Sequence, residues 1–286
     1  MASRRVVYTC LFGGYETLLD QPVADTSDID FVVFTDDPSL TSSSWQVRLV
    51  ASPFPADQNR SSRRPKILAH EYLPEFDESL YIDNTVLLTA PPELVFDALL
   101  PPDVPMALCA HSYRGPVREE FAAVVSSGRD IDIVCAEQLG HYEQAAPEVL
   151  DTQTLWGGFL LRRHHDPAVR VAMHTWWEHV LRYSRRDQLS LPFALTRSGL
   201  PHLVHPIDNH VSDFHVWPRE GTRRDPAGGA PADIAADLRE DLRRLDAKIA
   251  RLHDSTSWRI TRPLRALSTM SRRALAATRS GGPGPR

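Results

Sequence analysis

Short runs of apolar and β-branched residues recur along the first third of the chain, and each stops at glycines or polar residues. Arg5–Leu11 stops at Gly13-Gly14, and Asp30–Asp37 ends in acids. A third run, SLYIDNTVLL, covers residues 79–88. Runs of this length and composition predict strands. We interpret the first two as central strands that end in polar loops.

Helical spacing of apolar residues separates these strands. A helix is predicted over Lys66–Leu73, with Pro65 in its first turn and Pro74 ending it. Further along, the pattern predicts helices over Pro91–Leu100 and Ala168–Tyr183 and strands over Val104–His111 and Leu155–Leu161. Alternating strands and helices predict an α/β sandwich with a mostly parallel central sheet.

Polar residues at the strand ends are the first candidates for a binding site. In open α/β sheets, ligands bind outside the carboxyl ends of the strands, which here are residues 13–16, 35–37 and 83–85. A carboxylate such as Asp83 is unfavourable inside an apolar strand unless it is paired or bound to a metal. With neighbouring oxygen donors it suits Mn²⁺ or Mg²⁺, and diphosphate oxygens would complete the coordination. The pattern equally allows Asp83-Asn84 to be a turn between two hairpin strands.

Two charged segments supply further candidates. Arg60–Lys66 is cationic and stands at a predicted helix start, where arginine side chains and backbone N–H groups suit a diphosphate. A solvated basic loop is the alternative. Arg185–Gln188 follows a helix that carries two tryptophans. Its Asp187 could deprotonate a hydroxyl or orient a sugar, or it could cap the next helix.

Residues 202–215 contain four histidines at irregular spacing beside two aspartates. An HExxH motif is absent, which argues against zinc hydrolysis. A histidine of this segment, His210 or His215, could instead be a distal ligand of the cation at Asp83. The sequence also lacks a nucleophile elbow, a Walker loop and a GxGxxG motif, which removes the commonest hydrolase, NTPase and dehydrogenase interpretations.

Composition limits the partners and the cellular setting. The net charge of −5 and the acidic main body argue against nucleic-acid binding. The N-terminal apolar run is too short for a signal peptide or a membrane span, so we expect a cytoplasmic protein. The three cysteines lie apart in apolar segments, which excludes a CxxC metal knuckle and predicts buried thiols.

The chain is predicted to divide after Trp217. Residues 1–217 form the main domain, residues 218–230 a linker rich in Pro, Gly and Arg, and residues 231–254 an amphipathic helix. Because this helix can form a coiled coil, a homo-oligomer is expected through it. Residues 255–286 carry seven arginines and no acids. They suit either the inner face of an anionic membrane or a disordered, solvated tail.

Six segments, in this order along the chain, resemble a known family. They are YTCLFGGYETLLDQP, DFVVFTDDP, RRPKILAH, SLYIDNTVLL, LWGGFLLRRH and WWEHVLRYSRRDQLSLPFAL. They are similar to the glycosyltransferase-like family long catalogued as a domain of unknown function, which has bacterial members and plant members linked to mucilage and cell-wall polysaccharide. The resemblance covers about residues 5–217. Residues 257–265 also resemble a stretch appended to many bacterial surface-polysaccharide glycosyltransferases.

The resemblance implies a GT-A type fold that binds a nucleotide sugar and transfers a hexose. It implies that Phe12, Gly13, Tyr15, Thr35 and Asp36 hold the base and ribose and that Arg63 and Lys66 hold the diphosphate. Asp83, beside Asn84, would be the first acid of an Asp-x-Asp metal motif. Trp156, Gly157 and Gly158 would line the sugar, and Asp187 and Gln188 would lie at the acceptor. The chain departs from the motif at Thr85, where a second acid is expected.

We therefore expect a hexosyltransferase that uses a UDP-linked sugar and a divalent cation, Mn²⁺ or Mg²⁺, with a glycan or small-molecule acceptor. Two other classes stay open. A non-catalytic scaffold that binds nucleotide or glycan is favoured by Thr85. A nucleotidyltransferase of similar fold would release pyrophosphate instead of a nucleoside diphosphate.

Overall fold

The computed structural model describes residues 3–14, 16–217 and 242–251. The strands are β1 Arg5–Leu11, β2 Asp30–Thr35, β3 Gln46–Leu49, β4 Glu78–Ile82, β5 Leu87–Leu88, β6 Met106–Ala110, β7 Leu155–Arg163, β8 Leu203–His205 and β9 His215–Val216. The helices are α1 Gln58–Ile67, α2 Ala69–Tyr72, α3 Pro92–Leu99, α4 Val117–Ser126, α5 Asp132–Ala145, α6 Pro167–Arg182 and α7 Leu191–Ser198.

Seven strands form one sheet in the order β3-β2-β1-β4-β7-β6-β8. Strand β7 is antiparallel to both of its neighbours, and the other neighbouring pairs are parallel. Strands β5 and β9 form a separate antiparallel pair. The carboxyl ends of β1, β2, β4 and β6 therefore share one edge with the start of β7, and ligands bind outside such an edge in α/β sheets.

Each face of the sheet has its own core. In β1, Val6, Tyr8 and Cys10 join the core under α1, α6 and α7, whereas Val7 and Leu11 join the core under α3. This division follows from the two-residue period of a strand. Because both faces are covered, the strands are continuous apolar runs in the sequence. The predicted α/β sandwich with a mostly parallel central sheet is confirmed.

One helix prediction is wrong, because α1 begins eight residues earlier than the pattern indicates. The carboxylate of Asp57 caps it by accepting a hydrogen bond from the Arg60 backbone N–H at 3.0 Å. Pro65 therefore lies near the end of α1, not in its first turn. Since proline has no backbone N–H, it weakens the last turn, and α1 ends two residues later. The cationic run begins in the first turn of this helix, at Arg60, and extends to its last turn, at Lys66.

The segment SLYIDNTVLL contains two strands and a turn. Strand β4 ends at Ile82, and the Val86 N–H donates to the Asp83 carbonyl at 2.8 Å. Strand β5 pairs with β9 and not with β4, so the hairpin alternative is wrong. Asp83 follows a central strand of the sheet and lies at its carboxyl edge.

The second compact unit, residues 237–286, contributes one described segment. Residues 242–251 are helical, with Leu242, Leu245 and Ile249 exposed. The rest of the predicted 231–254 helix, the linker and the basic tail lie outside the described residues, so their roles stay predictions. Across the described ranges, no helix combines the length and apolar character needed to cross a bilayer. All three cysteines are buried thiols, as expected.

Candidate functional site

Two loops meet where β1 and β2 end. The Gly13 backbone N–H donates to Asp36 Oδ1 at 2.9 Å. The φ angle of Gly13 is +75°, in the left-handed region that favours glycine. Phe12 and Thr35 are buried, whereas Gly13 and Asp36 are accessible. Tyr15 lies outside the described residues, so Gly13 and Asp36 are the predicted nucleotide contacts that a ligand can reach here.

A buried lysine and a buried aspartate meet beside the same edge. Lys66 comes from the last turn of α1, and Asp187 begins a 3-10 turn after α6. Lys66 Nζ lies 2.6 Å from Asp187 Oδ2, with side-chain exposures of 2% and 4%. Arg63 Nε lies 3.1 Å from the same oxygen. We call Arg63, Lys66, Asp83 and Asp187 the charge cluster.

The cluster sets the ionisation of Asp187. Burial raises the pKa of this carboxyl, but Arg63 and Lys66 outweigh burial and hold the pKa well below its usual value. Burial lowers the pKa of Lys66, and the Asp187 carboxylate opposes that shift. A general base works best with a pKa near the operating pH. The predicted role of Asp187 as a base therefore does not fit its surroundings, whereas a role in positioning Arg63 and Lys66 does.

Buried side chains hold the backbone on both sides of this ion pair. The Lys66 carbonyl accepts hydrogen bonds from Tyr8 Oη at 2.6 Å and from Arg162 Nη2 at 2.8 Å. Trp176 Nε1 donates to the Asp187 carbonyl at 2.9 Å. Each bond joins segments that are distant in sequence or lie on different elements. The lysine and the aspartate are thus fixed before any ligand arrives.

Asp83 is the accessible carboxylate of the cluster. Its side chain is 31% exposed, and Oδ1 lies 3.9 Å from Lys66 Nζ. Tyr81 Oη donates to the same oxygen at 2.8 Å. The Asp83 backbone N–H donates to the Gly158 carbonyl at 3.0 Å, which anchors the turn to β7. Asp83 therefore presents a carboxylate to solvent beside a buried ammonium group.

The glycines of β7 are packed by side chains of this chain. A Cβ atom at Gly157 would lie 3.2 Å from Lys66 Nζ, so this glycine leaves room for the ion pair. A Cβ atom at Gly158 would lie 2.6 Å from the indole of Trp156, which is itself buried. Side chains of the protein therefore occupy the space beside each glycine, where the sugar is predicted to lie.

The other cations of the Arg60–Lys66 run have different partners. Arg60 donates to two backbone carbonyls at the end of α6, at 3.0 and 2.7 Å. Arg64 Nη2 lies 3.8 Å from Glu71 near the surface. The prediction of a solvated basic loop is wrong, because the run is helical and partly buried. Arg63 and Lys66 are the two members of the run that reach Asp187.

Among the described residues, Asp83, His210 and His215 do not form one group of three metal ligands. Within the described ranges, no group of three metal-ligating atoms within 4.8 Å of one another includes these residues. His215 uses both ring nitrogens in its own loop, one 2.8 Å from a serine hydroxyl and the other 3.1 Å from the Asn209 carbonyl. The His210 ring stacks on Trp217 with centroids 5.1 Å apart. Asp83, His210 and His215 therefore form no three-ligand group, and the expectation that one of the two histidines is a distal ligand stays a prediction.

The residues after Asp83 add no second acid. Thr85 Oγ1 accepts a hydrogen bond from Trp217 Nε1 at 2.8 Å. Asn84 is 7% exposed, and its carbonyl accepts a hydrogen bond from the Leu19 backbone N–H at 3.3 Å. Both residues thus anchor the turn to other parts of the fold. Asp83 is therefore the single acid among residues 83–85.

Gln188 lies beside the cluster and is partly exposed. Its Oε1 accepts a hydrogen bond from Arg186 Nη2 at 3.2 Å. Its Cγ lies 3.9 Å from the position that a Cβ atom would take on Gly157. Gln188 follows Asp187 in the chain and therefore lies beside the ion pair. Its side-chain amide is partly exposed, so a ligand can approach it.

Sequence reasoning missed the side chains that hold the cluster, namely Tyr8, Tyr81, Arg162 and Trp176. Arg162 is the clearest case, because it is fully buried yet charged. A signal was present, since an arginine that ends an apolar run is unfavourable in a core without partners. Those partners are the Lys66 and Ile67 carbonyls, more than ninety residues away, and no local pattern identifies them.

The family described as "TOD1/MUCI70, glycosyltransferase-like domain" matches residues 1–207. The chain belongs to this family. This match confirms the resemblance carried by the six segments, and with it a glycosyltransferase-like α/β domain.

Individual relatives of this TOD1/MUCI70 member are distant. The probable hexosyltransferase MUCI70 of Arabidopsis thaliana is 26% identical over 155 residues, which is 51% of this chain and only 26% of that protein. The apo structure of the bifunctional glycosyltransferase WbbM is 9% identical, with a TM-score of 0.42 over 72% of this chain and 39% of that chain. Apo mouse xyloside xylosyltransferase 1 is 12% identical, with a TM-score of 0.41 over 72% of this chain and 85% of that chain.

Proposed function

We propose that the chain is a glycosyltransferase that moves a hexose from a nucleoside diphosphate sugar to a glycan or small-molecule acceptor. UDP is the first candidate for the nucleotide of the donor. One observation carries the proposal. In a member of a glycosyltransferase-like family, Lys66 lies beside Asp83 at the carboxyl edge of the sheet, where α/β proteins bind ligands, and Arg63 and Lys66 both contact Asp187.

The donor diphosphate would bind against Arg63 and Lys66. Negative charge develops on the departing diphosphate, and preorganised cations next to it lower the energy of the transition state. Asp187 holds both cations in place and acts as a positioning residue. The base and ribose would lie over residues 12–15 and Asp36, and the acceptor would approach from the side of Gln188.

Asp83 is the residue that would hold a divalent cation. Mg²⁺ is commonly bound by one or two carboxylates together with substrate phosphates, and Asp83 supplies one partly exposed carboxylate. When bound, such an ion adds positive charge at the phosphate groups. Because Lys66 already places a cation 3.9 Å from Asp83, we expect Mn²⁺ to stimulate transfer and a chelator to reduce it without abolishing it.

The direct test is a donor-hydrolysis and nucleotide-binding assay of the full chain. A panel of UDP-, GDP- and dTDP-sugars is supplied with Mn²⁺ or with EDTA, and the released nucleoside diphosphate is quantified. The proposal expects turnover or binding with one nucleotide class. Failure across the panel in both turnover and binding would contradict it. Release of pyrophosphate would identify a nucleotidyltransferase.

A non-catalytic scaffold that binds nucleotide or glycan is the second candidate. It is favoured by the burial of Lys66 and Asp187, whose side chains are 2% and 4% exposed, and by Thr85 in place of an acid. The same assay separates the two, because a scaffold binds a nucleotide sugar without releasing nucleoside diphosphate. Arg63→Ala should then weaken binding, while no hydrolysis is seen in any variant.

The cellular setting is part of the proposal. We expect a cytoplasmic enzyme, peripheral to the inner membrane face through residues 255–286, that self-associates through residues 231–254. Exposed Leu242, Leu245 and Ile249 support the association. Removing residues 231–286 should leave nucleotide binding intact while altering sedimentation or vesicle binding. An insoluble truncated protein would contradict this division of roles.

A further inference from the structure

Three side chains with metal-ligating atoms meet between two helices, and none of the three is among the residues assigned to the donor. They are His70 and Glu71 on α2 and His174 on α6. All three ligand atoms lie within 4.8 Å of one another. The two Nε2 atoms are 3.3 Å apart. His70 is half-buried, whereas Glu71 and His174 are exposed and open to an ion from solvent.

The spacing of the two histidines matches a tetrahedral zinc site. Zn–N bonds of about 2.0–2.1 Å at a tetrahedral angle place two ligating nitrogens about 3.3 Å apart. The observed Nε2–Nε2 distance, at which the two rings are hydrogen-bonded to each other, already has this value. Neutral imidazole is a preferred ligand of Zn²⁺, and a carboxylate with a water molecule completes many such sites.

Glu71 is available for this role at little energetic cost. It forms an ion pair with Arg64 at an N–O distance of 3.8 Å, and both side chains are about two-fifths exposed. Exposed ion pairs of this kind contribute little to stability. Little stability is therefore lost when the Glu71 carboxylate leaves Arg64 and binds an ion between the histidines. Glu71 also supplies the negative charge among these three side chains. The positive Arg170 interacts with His70.

We propose that His70, Glu71 and His174 bind one transition-metal ion, with Zn²⁺ as the best fit, and that the ion clamps α2 to α6. The ion has a structural role, because it joins two segments of the fold. His70 lies four residues after Lys66, and His174 lies two residues before Trp176, which bonds the Asp187 carbonyl. An ion here ties together the two segments that carry the buried ion pair. The proposal does not depend on glycosyl transfer.

The test measures Zn²⁺ binding by the metal-free full chain, using calorimetry and thermal melting. The wild-type protein should bind one Zn²⁺ that His174→Ala does not bind, or binds at least tenfold more weakly. Zn²⁺ should raise the melting temperature of the wild type and not that of His174→Ala. Because His174 is exposed, this variant should fold normally. Glu71→Gln should weaken Zn²⁺ binding less than either histidine substitution does.

Two controls keep the outcome specific. His202→Ala removes another surface histidine and should leave the stoichiometry, affinity and thermal shift unchanged. The double variant His70→Ala/His174→Ala should lose no more Zn²⁺ than His174→Ala alone, because each change destroys the same site. Equal Zn²⁺ binding by wild type and His174→Ala would overturn the proposal. So would a thermal shift that persists in the double variant.

Discussion

The charge cluster and the histidine segment, residues 202–215, are both predicted from sequence to serve one nucleotide-sugar site, yet they are built in opposite ways. In the cluster, Lys66 and Asp187 meet from two distant elements inside the protein. In the histidine segment, His215 bonds to residues only three and six positions away.

This difference distinguishes residues that stabilise the fold from residues that form the candidate site. Imidazoles whose two nitrogens are satisfied within their own loop stabilise that loop and leave no lone pair for a cation. Charged groups brought together from distant elements have no local role, and desolvation makes their burial unfavourable unless they serve one another or a ligand. Asp83, the accessible member of the charge cluster, is where we expect such a ligand to arrive. The four predictions below test this comparison.

The largest expected effect comes from Asp187→Asn. The substitution leaves Lys66 buried beside a neutral amide, so the free energy of unfolding should fall by about 3–5 kcal/mol, and donor turnover should be lost. Glu143→Gln is the matched control, because Arg118–Glu143 has the same 2.6 Å distance but side chains 48% exposed. That change should cost less than about 1 kcal/mol. Urea unfolding measures both, and equal losses would contradict the comparison.

Gly157→Ala should come next. Its Cβ would lie 3.2 Å from Lys66 Nζ, so the ion pair must shift, with a loss of about 1–3 kcal/mol and a lower turnover number. Gly140→Ala on α5 is the control, because nothing lies within 4 Å of its added Cβ. That change should be neutral or stabilise by up to about 1 kcal/mol. A Gly157→Ala protein with wild-type stability and turnover would show that this glycine does not serve the cluster.

Asp83→Ala against Asn84→Ala tests the accessible member of the cluster. Asp83→Ala should weaken donor binding at least tenfold, about 1.4 kcal/mol, and remove the stimulation by Mn²⁺. Asn84→Ala should change donor binding far less, because that side chain is buried in the turn. Donor titration with and without Mn²⁺ measures both variants. Small and equal effects would reduce the Asp83-Asn84 pair to a turn.

The smallest effect is expected from Thr85→Val. The substitution removes the acceptor of the Trp217 Nε1 hydrogen bond, and stability should fall by about 0.5–1.5 kcal/mol. The Michaelis constant for the donor and the response to Mn²⁺ should not change, since Thr85 belongs to the scaffold side of the comparison. Thermal unfolding with parallel kinetics measures this, and an altered Mn²⁺ response would place Thr85 in the cation site.

Several elements could be predicted because their signals are local. Strands β1, β2, β6 and β7 are apolar runs bounded by turn residues, and α3 and α6 show helical spacing. The start of α1 was missed because its cap, Asp57, stands in a polar stretch that resembles a loop. The family resemblance marked Lys66, Asp83 and Asp187, but their local patterns were equally consistent with a basic loop, a turn and a helix cap.

By itself, the sequence determined the α/β class, the family and the polar residues at the strand ends, since periodicity and short motifs are properties of neighbouring residues. Only the tertiary structure decided what those residues do to one another. It placed Asp187 against Arg63 and Lys66, which hold the pKa of its carboxyl well below the usual value despite burial. It also enclosed His215 in its own loop. The reason is that desolvation and pairing energies depend on distances in space between residues far apart in the chain.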